Sequence, residues 1–405
     1  MTDHGSRPRI AVSCQHLSGV GHFVRSRELC RAFSRVGDVL FVSGGVPVPG
    51  PALDRKVRLV TLAPLRREPA SGKLVAASPD EPLADVRQRR SAQLTQAVAG
   101  WIPDAVIIEH FPVSKWELSG EILGWIATIR AANPSVLVCC SLRDFPATNE
   151  LLQADTRSHD WIVDTLQNHF AAVLVHSDPA VSQLTDDCPW ASRLTIPVIH
   201  TGYVVEEPVD VSSSSTATDE DPHAPVLVSA GGLDDGDRLA ELSIAAWELL
   251  FRQGQTGGRR LVVLAPFQLS QSRLDRLAAR LAGLPAELSP FRDDFLSQIL
   301  GCGVSISQAG YNTTMNILRA GCRAIVAPNP RMHDQVVRAE LLQQRGLLSR
   351  LDVATTTPDV LARAITASLR QPRPRHSLQL DGASRTTAWL CQQLASRQVP
   401  RGGLP

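Results

Sequence analysis

Val304-Ser305-Ile306-Ser307-Gln308-Ala309-Gly310-Tyr311-Asn312-Thr313-Thr314-Met315-Asn316-Ile317-Leu318-Arg319-Ala320-Gly321 reads as a short apolar strand, a glycine turn and a helix opened by small hydroxyl and amide residues. A helix that begins this way turns unpaired backbone N–H groups and a positive dipole end toward whatever lies before it. Gly310 lets an anion approach the backbone closely. Asn312, Thr313 and Thr314 are placed to cap the helix or to donate to phosphate oxygens. Taken alone, such a turn is the ordinary strand–turn–helix of an α/β protein. The sequel sets it apart: a second strand, 323–328, ends in Pro328-Asn329-Pro330, and His333-Asp334-Gln335 opens another helix. Two polar turns at adjacent strand ends make a pocket for a phosphorylated ligand.

The same rhythm runs through the whole chain. Apolar, β-branched runs recur at 10–14, 39–42, 57–62, 105–108, 136–141 and 172–175, with amphipathic segments at 25–36, 87–99, 117–131 and 161–170. Continuous apolar strands alternating with helices predict a parallel sheet covered on both faces. The composition changes after 196–205, where 206–225 carries a serine run, Asp219-Glu220-Asp221 and prolines, as an exposed linker does. Strands restart at 226–229, 261–265, 304–307 and 324–327. The expectation is two doubly wound, Rossmann-like α/β domains, 1–205 and 226–371, joined by a linker at 206–225. Pro372-Arg373-Pro374 then breaks the chain before a closing helix and tail, 372–405, with the helix at 384–396.

Composition bounds the function. The chain has 405 residues, 43% hydrophobic and 20% charged, with a formal charge of +1. This length suits two full cores, and the scattered basic residues give no footprint for nucleic acid. Arg89-Arg90 is expected to be a solvated helix face. No apolar run approaches the ~20 residues that span a bilayer, and the first nine residues lack the apolar core of a signal peptide. The 8 cysteines form no CxxC pair and have no histidine at metal spacing. Those at Cys14, Cys139, Cys140, Cys302 and Cys322 read as small core hydrophobes. The expectation is a reduced, cytoplasmic protein without a metal. Asp234-Asp235-Gly236-Asp237 lacks the rest of a calcium loop.

The first strand, Ile10-Ala11-Val12-Ser13-Cys14, has its own glycine turn in Gln15-His16-Leu17-Ser18-Gly19-Val20-Gly21-His22. It is not a GxGxxG fingerprint, because arginine stands where the third glycine belongs. His22 sits at the start of the helix that follows. There the dipole disfavours imidazolium, and the neutral ring can accept a proton. The plainer alternative is a histidine that packs at the turn, and His16, with no evident partner, belongs to that class. Glu109 and Asp144 each end a predicted strand, where they would orient His22, hold an acceptor group, or form a salt bridge or helix cap.

These turns together resemble the nucleotide-sugar glycosyltransferases of the two-Rossmann, GT-B type. Within these the chain is similar to the family-28 group that includes the bacterial peptidoglycan N-acetylglucosaminyltransferase, and closer still to bacterial chains labelled only as predicted glycosyltransferases. The motifs that carry the resemblance keep their order. They are Gly19-Val20-Gly21-His22-Phe23-Val24-Arg25, Ile107-Ile108-Glu109-His110-Phe111-Pro112, Cys140-Ser141-Leu142-Arg143-Asp144, Val173-Leu174-Val175-His176-Ser177-Asp178-Pro179, Thr201-Gly202-Tyr203, Gly231-Gly232, Phe291-Arg292-Asp293-Asp294-Phe295, Ser307-Gln308-Ala309-Gly310-Tyr311-Asn312-Thr313 and His333-Asp334-Gln335.

The resemblance implies the following roles. His22 would be the general base that deprotonates an acceptor hydroxyl or amine. Gly231, Gly232, Ser307, Gly310, Asn312 and Thr313 would line the diphosphate pocket. Phe291 and Arg292 would pair with the nucleobase through their backbone, and Asp334 and Gln335 would bind donor-sugar hydroxyls. Asn316 stands where the peptidoglycan enzyme has a ribose-binding glutamate. An amide can still bond the ribose, so a UDP-sugar is favoured while thymidine and guanosine diphosphates stay open. Tyr311 is expected to pack. The implied reaction is a metal-independent, inverting transfer across a cleft between the domains, with the nucleotide-sugar as co-substrate and no cofactor. The acceptor would be a small molecule or lipid-linked, and membrane contact at most peripheral. A nucleotide-sugar hydrolase on the same fold, a non-hydrolysing epimerase and a catalytically silent nucleotide-sugar-binding partner remain as alternatives. The segment 66–82 is expected to be a mobile acceptor loop.

Overall fold

A computed structural model describes residues 7–17, 19–48, 53–68, 71–147, 156–207, 221–230, 234–265, 270–289 and 295–397. The chain divides into two compact units, 1–205 with 378–405, and 206–377.

The first unit runs β1 (Arg9–Cys14), α1 (Gly21–Ser34), β2 (Asp38–Ser43), β3 (Val57–Thr61), β4 (Leu65–Arg67), β5 (Leu74–Ala76), α2 (Leu83–Val98), β6 (Ala105–Glu109), α3 (Ser119–Ala132), β7 (Leu137–Arg143), α4 (Thr156–His169), β8 (Ala172–His176), α5 (Leu184–Asp187) and β9 (Val198–His200). Seven strands form one parallel sheet in the order β3-β2-β1-β6-β7-β8-β9. Because side chains alternate along a strand, each central strand feeds two cores. Ile10, Val12, Phe41 and Ile107 pack on one face with Leu29 and Phe33 of α1. Ala11, Leu40, Val106 and Ile108 pack on the other with Val86, Leu94, Ile122 and Ile126.

The second unit runs β10 (Val226–Ser229), α6 (Asp234–Arg252), β11 (Leu261–Leu264), α7 (Gln271–Leu281), β12 (Ala286–Ser289), α8 (Phe295–Leu300), β13 (Val304–Ser307), α9 (Tyr311–Ala320), β14 (Ala324–Val326), α10 (His333–Gln344), β15 (Ser349–Arg350) and α11 (Pro358–Arg370). Its sheet, β12-β11-β10-β13-β14-β15, is also parallel throughout. The doubly wound α/β expectation therefore holds in both units.

The last helix, α12 (Gly382–Arg397), returns to the first unit. Leu390 and Leu394 join the core that contains Leu29 and Phe33. Tyr203 N–H donates to the Gln379 carbonyl at 2.8 Å, and Gly382 N–H donates to the Tyr203 carbonyl at 2.9 Å. Gly382 has to be glycine, since a Cβ there would lie 2.2 Å from the Gly202 oxygen.

In each sheet the strand order reverses once, between β1 and β6 in the first unit and between β10 and β13 in the second. The connections leave in opposite directions from such a point, opening a crevice at the carboxyl ends of the strands where α/β proteins bind ligands. The first crevice is flanked by the loops after Cys14 and Glu109, the second by those after Ser229 and Ser307.

One expectation is corrected. Arg89 is a solvated side chain paired with Glu81, but Arg90 is fully buried and makes a bidentate bond to Glu121 at 2.7 and 2.8 Å. It also donates to Gln15 Oε1 at 2.6 Å and to the carbonyls of Gly44 and Ala63. Within 66–82, the residues of β4 and β5 pair antiparallel, and α2 begins just beyond, at Leu83. Residues 208–220 of the expected linker lie outside the described residues.

Candidate functional site

The crevice of the first unit is built by α1 and the end of β6. Gly19 turns the chain after β1 with φ of 71°, a left-handed conformation that glycine adopts without strain. Val20 then opens α1 with no side-chain cap, and His22 is its second residue. Glu109 is the last residue of β6, with its side chain 1% exposed. His22 Nδ1 lies 2.5 Å from Glu109 Oε1. Arg25, one turn along α1 from His22, donates to the same oxygen, while Lys115 donates to Oε2. Lys115 Nζ also reaches the Glu109 carbonyl at 3.3 Å. The His110 ring stands edge-on to His22, centroids 5.0 Å apart, and its buried Nε2 has no hydrogen-bond partner in the protein.

This grouping sets the protonation states. Burial would raise the Glu109 pKa, but His22, Lys115, His110 and Arg25 hold it well below the usual carboxylate range. Burial pushes His22 down to about 4; the Glu109 charge opposes this, and Lys115 and Arg143 reinforce it. His22 is therefore neutral near pH 7. A carboxylate only accepts hydrogen bonds, so the His22 proton sits on Nδ1 and the basic lone pair on Nε2. That is the arrangement of a general base oriented by an acid residue.

His22, Glu109 and His110 are also the trio of described residues whose donor atoms come within 4.8 Å of one another. Both Glu109 oxygens already carry a cationic donor. The carboxylate is thus part of an ion-pair network, and a divalent cation there would meet the repulsion of Arg25 and Lys115.

Asp144 is buried just beyond β7, and the carboxylate brought to His22 is Glu109. His16, expected to lack a partner, is buried and bonded: its Nε2 lies 2.9 Å from Ser43 Oγ, and its ring stacks edge-on to Phe23. Arg25, His110 and Lys115 were not singled out from sequence as site residues. One signal did exist for Arg25, since the i,i+3 spacing from His22 puts both on one helix face.

The crevice of the second unit follows β13. Gly310 is the N-cap of α9, and no side-chain hydrogen bond caps it. Its φ is −62°, and a Cβ built on it would meet nothing within 4 Å. The protein's own packing therefore does not demand glycine there. Ser305 and Ser307 project from the face of β13 opposite Val304 and Ile306, which belong to the apolar core. The hydroxyls of Ser305, Ser307 and Thr314 and both amide atoms of Asn316 are buried without a hydrogen-bond partner among the described residues. Such concentration is unusual, because leaving a buried polar group unpaired costs about 1–3 kcal/mol.

The turn after β14 is tied to the same region. Gln335 Oε1 accepts the Asn329 N–H at 3.0 Å and closes the Pro328–Pro330 turn. Fully buried Arg338 donates to Asp334 Oδ2 at 2.9 Å and to the Ala309 carbonyl at 2.7 Å, bridging the two turns. Part of the polar capacity of Asp334 and Gln335 is thus spent within the protein. Tyr311 is buried, with the Arg338 guanidinium 5.6 Å from its ring centre. Asn312 and Thr313 lie in the first turn of α9. Gly231, Gly232, Phe291 and Arg292 lie outside the described residues.

Comparison with known proteins bears on this second unit first. Residues 266–381 match the family described as glycosyltransferase family 28 C-terminal domain. One relative is the UDP-N-acetylglucosamine--N-acetylmuramyl-(pentapeptide) pyrophosphoryl-undecaprenol N-acetylglucosamine transferase of Acidiphilium cryptum. It is 29% identical over 184 residues, covering 45% of this chain and 48% of the relative. The enzyme of the same name from Cupriavidus necator is 32% identical over 149 residues, 34% of this chain and 41% of the relative. The chain thus spans less than half the length of either. Over nearly its whole length it resembles solved structures in fold. The glycotransferase of kitacinnamycin has a TM-score of 0.55 at 17% identity, covering 97% and 96% of the two chains. MurG of Acinetobacter baumannii has 0.53 at 14% identity, covering 95% and 99%. Residues 266–381 thus match the family-28 C-terminal glycosyltransferase domain, and the chain has the GT-B fold of two Rossmann-like units.

Proposed function

Starting from a family-28 domain on a GT-B fold, we propose that the protein is a glycosyltransferase. It moves a sugar from a nucleoside-diphosphate sugar, a UDP-sugar by preference, to an acceptor hydroxyl or amine on a small or lipid-linked molecule. The observation that carries this reading is the family match over 266–381, which includes the β13–α9 turn and its unpaired polar side chains. The donor diphosphate faces the amino end of α9, where the helix dipole and backbone N–H groups stabilise negative charge on the leaving phosphate without a metal. Ser307, Gly310, Asn312, Thr313 and Asn316 surround it, with Gly231, Gly232, Phe291, Arg292, Asp334 and Gln335 completing donor binding.

In the first unit, His22 Nε2 removes the acceptor proton as the acceptor oxygen or nitrogen attacks the anomeric carbon and the nucleoside diphosphate departs with inversion. The resulting imidazolium keeps its Nδ1–H on Glu109. General-base help of this kind contributes about 10²–10⁴-fold. Asp144, at a neighbouring strand end, takes part in holding the acceptor.

Thermal unfolding with UDP, dTDP, GDP or UDP-N-acetylglucosamine, each with EDTA or magnesium, tests the reading. A nucleotide at about 100-fold over its Kd adds ~2.7 kcal/mol to stability. A metal-independent shift with one nucleotide is expected and names the base. No shift with any of them refutes the donor pocket. Free sugar released without an acceptor assigns the chain to hydrolysis instead.

A further inference from the structure

We propose that Arg25 and Lys115 are positioning residues for the reaction proposed above: together they clamp Glu109 as a fixed anion that orients His22 without taking its proton. The inference rests on that reading and deepens it. Oε1 of Glu109 is shared by Arg25 and His22, and Oε2 is taken by Lys115. The side chains of Glu109, Arg25 and Lys115 are 1%, 1% and 6% exposed. With a donor on each oxygen, the carboxylate cannot rotate away from the imidazole. Were Glu109 to accept the His22 proton, two buried cations would lose their counter-charge, which is strongly unfavourable.

The backbone shows what the chain accepts to build this clamp. His110 and Lys115 both lie in the left-handed region, with φ of 60° and 68°, where non-glycine residues are uncommon. Between them the chain reverses, held by Ser114 N–H on the His110 carbonyl at 2.9 Å, and His110 N–H is itself bonded to the Ser141 carbonyl. This reversal folds Lys115 back over the residue that ends β6. An exposed loop lysine would need no such conformation.

The clamp has a chemical consequence. The groups that act on His22 are Glu109 from β6, His110 and Lys115 from the loop after it, Arg25 from its own helix, and Arg143 at the end of β7. Two cations already flank the single carboxylate, so an imidazolium formed from bulk solvent is a third; the Glu109 charge favours it, and burial, Lys115 and Arg143 oppose it. Burial, reinforced by Lys115, keeps His22 in the proton-accepting form well below neutral pH, and the clamp holds that ring oriented for the proton the reaction delivers.

Ring 15N shifts of His22, followed by NMR against pH, test this without any substrate. Lys115→Met is expected to raise the His22 midpoint by at least one pH unit, a tenfold gain in proton affinity, and the acid limb of kcat/KM should move up with it. Lys115→Arg should titrate near the parent protein. A folded Lys115→Met with an unchanged His22 midpoint overturns the clamp. Should Lys115→Met not fold, the parent protein still decides: a Glu109 13Cδ shift that titrates in step with His22 refutes a fixed anion, and one that stays ionised through the His22 transition supports it. A shifted midpoint in a protein that turns over no nucleotide-sugar would leave the clamp standing and refute the transferase reading.

Discussion

The two switch-point crevices solve opposite problems with polar groups. In the first unit every oxygen of the Glu109 carboxylate is engaged, by His22, Arg25 and Lys115. In the second, the side-chain polar atoms of Ser305, Ser307, Thr314 and Asn316 are buried with no hydrogen-bond partner among the described residues. A group that handles protons has to be oriented before the reaction, because reorganising it during the reaction would add to the barrier. A group that binds a ligand has to keep its hydrogen-bonding capacity for that ligand. The contrast fits the proposed division, chemistry in the first crevice and recognition in the second, and that division can be attacked from either side.

The largest effect is expected from His22→Ala. If the division of labour is right, turnover falls about 10²–10⁴-fold, while the nucleotide-induced thermal shift is unchanged because that binding belongs to the other unit. His22 is partly exposed and opens α1, so its loss leaves the core intact. Turnover at the parent rate in this variant would remove the proposed base. A lost nucleotide shift would break the division itself.

Acid titration separates the units next. Burial holds His16 and His22 to about 4 and His176 to about 3, and among the described residues every histidine pulled down in this way lies in the first unit. A histidine with a depressed pKa binds its proton less readily folded than unfolded. The unfolded chain therefore takes up more protons as pH falls below ~6.5, and folding stability drops until the folded pKa is reached. Each such histidine contributes a slope approaching 1.4 kcal/mol per pH unit, about one proton's worth. Below about 4.5 the unfolded chain also protonates Glu109 while the folded protein keeps it ionised, which extends the decline. Hydrogen exchange between pH 6.5 and 4 should show protection lost first in β1, β6 and β8. Earlier loss in β10 and β13 would contradict this account.

How much of this was legible in the sequence depends on burial. The central strands announced themselves, since a parallel strand covered on both faces must be apolar throughout. The edge strands of the second sheet did not: Ala286–Ser289 is half exposed and Ser349–Arg350 exposed, so neither carries a pattern. Arg90 was misread as solvated although Val86, Arg90 and Leu94 mark one buried stripe at helical spacing. Charge outweighed position in that reading, and position was the better guide. The pairing of His22 with Glu109 was among the readings that motif order offered. Lys115 was invisible, because its approach depends on a left-handed backbone that no local residue type demands.

The smallest effect is also the most discriminating. Asn316 is 1% exposed and both of its amide atoms lack a partner among the described residues. Leucine has the same branched shape and number of heavy atoms, with bulkier methyl groups, and nothing to satisfy. Asn316→Leu should raise stability without nucleotide by about 1–3 kcal/mol, the cost of a buried unpaired polar group, seen as a higher urea midpoint at unchanged slope. The same change should shrink the nucleotide-induced shift, because a polar group retained at a cost to stability is retained for function. A variant destabilised by more than the ~1–3 kcal/mol that overpacking costs would mean that the amide is satisfied within the folded protein. A stabilised variant with undiminished nucleotide binding would place the donor elsewhere, and the second crevice would lose its half of the comparison.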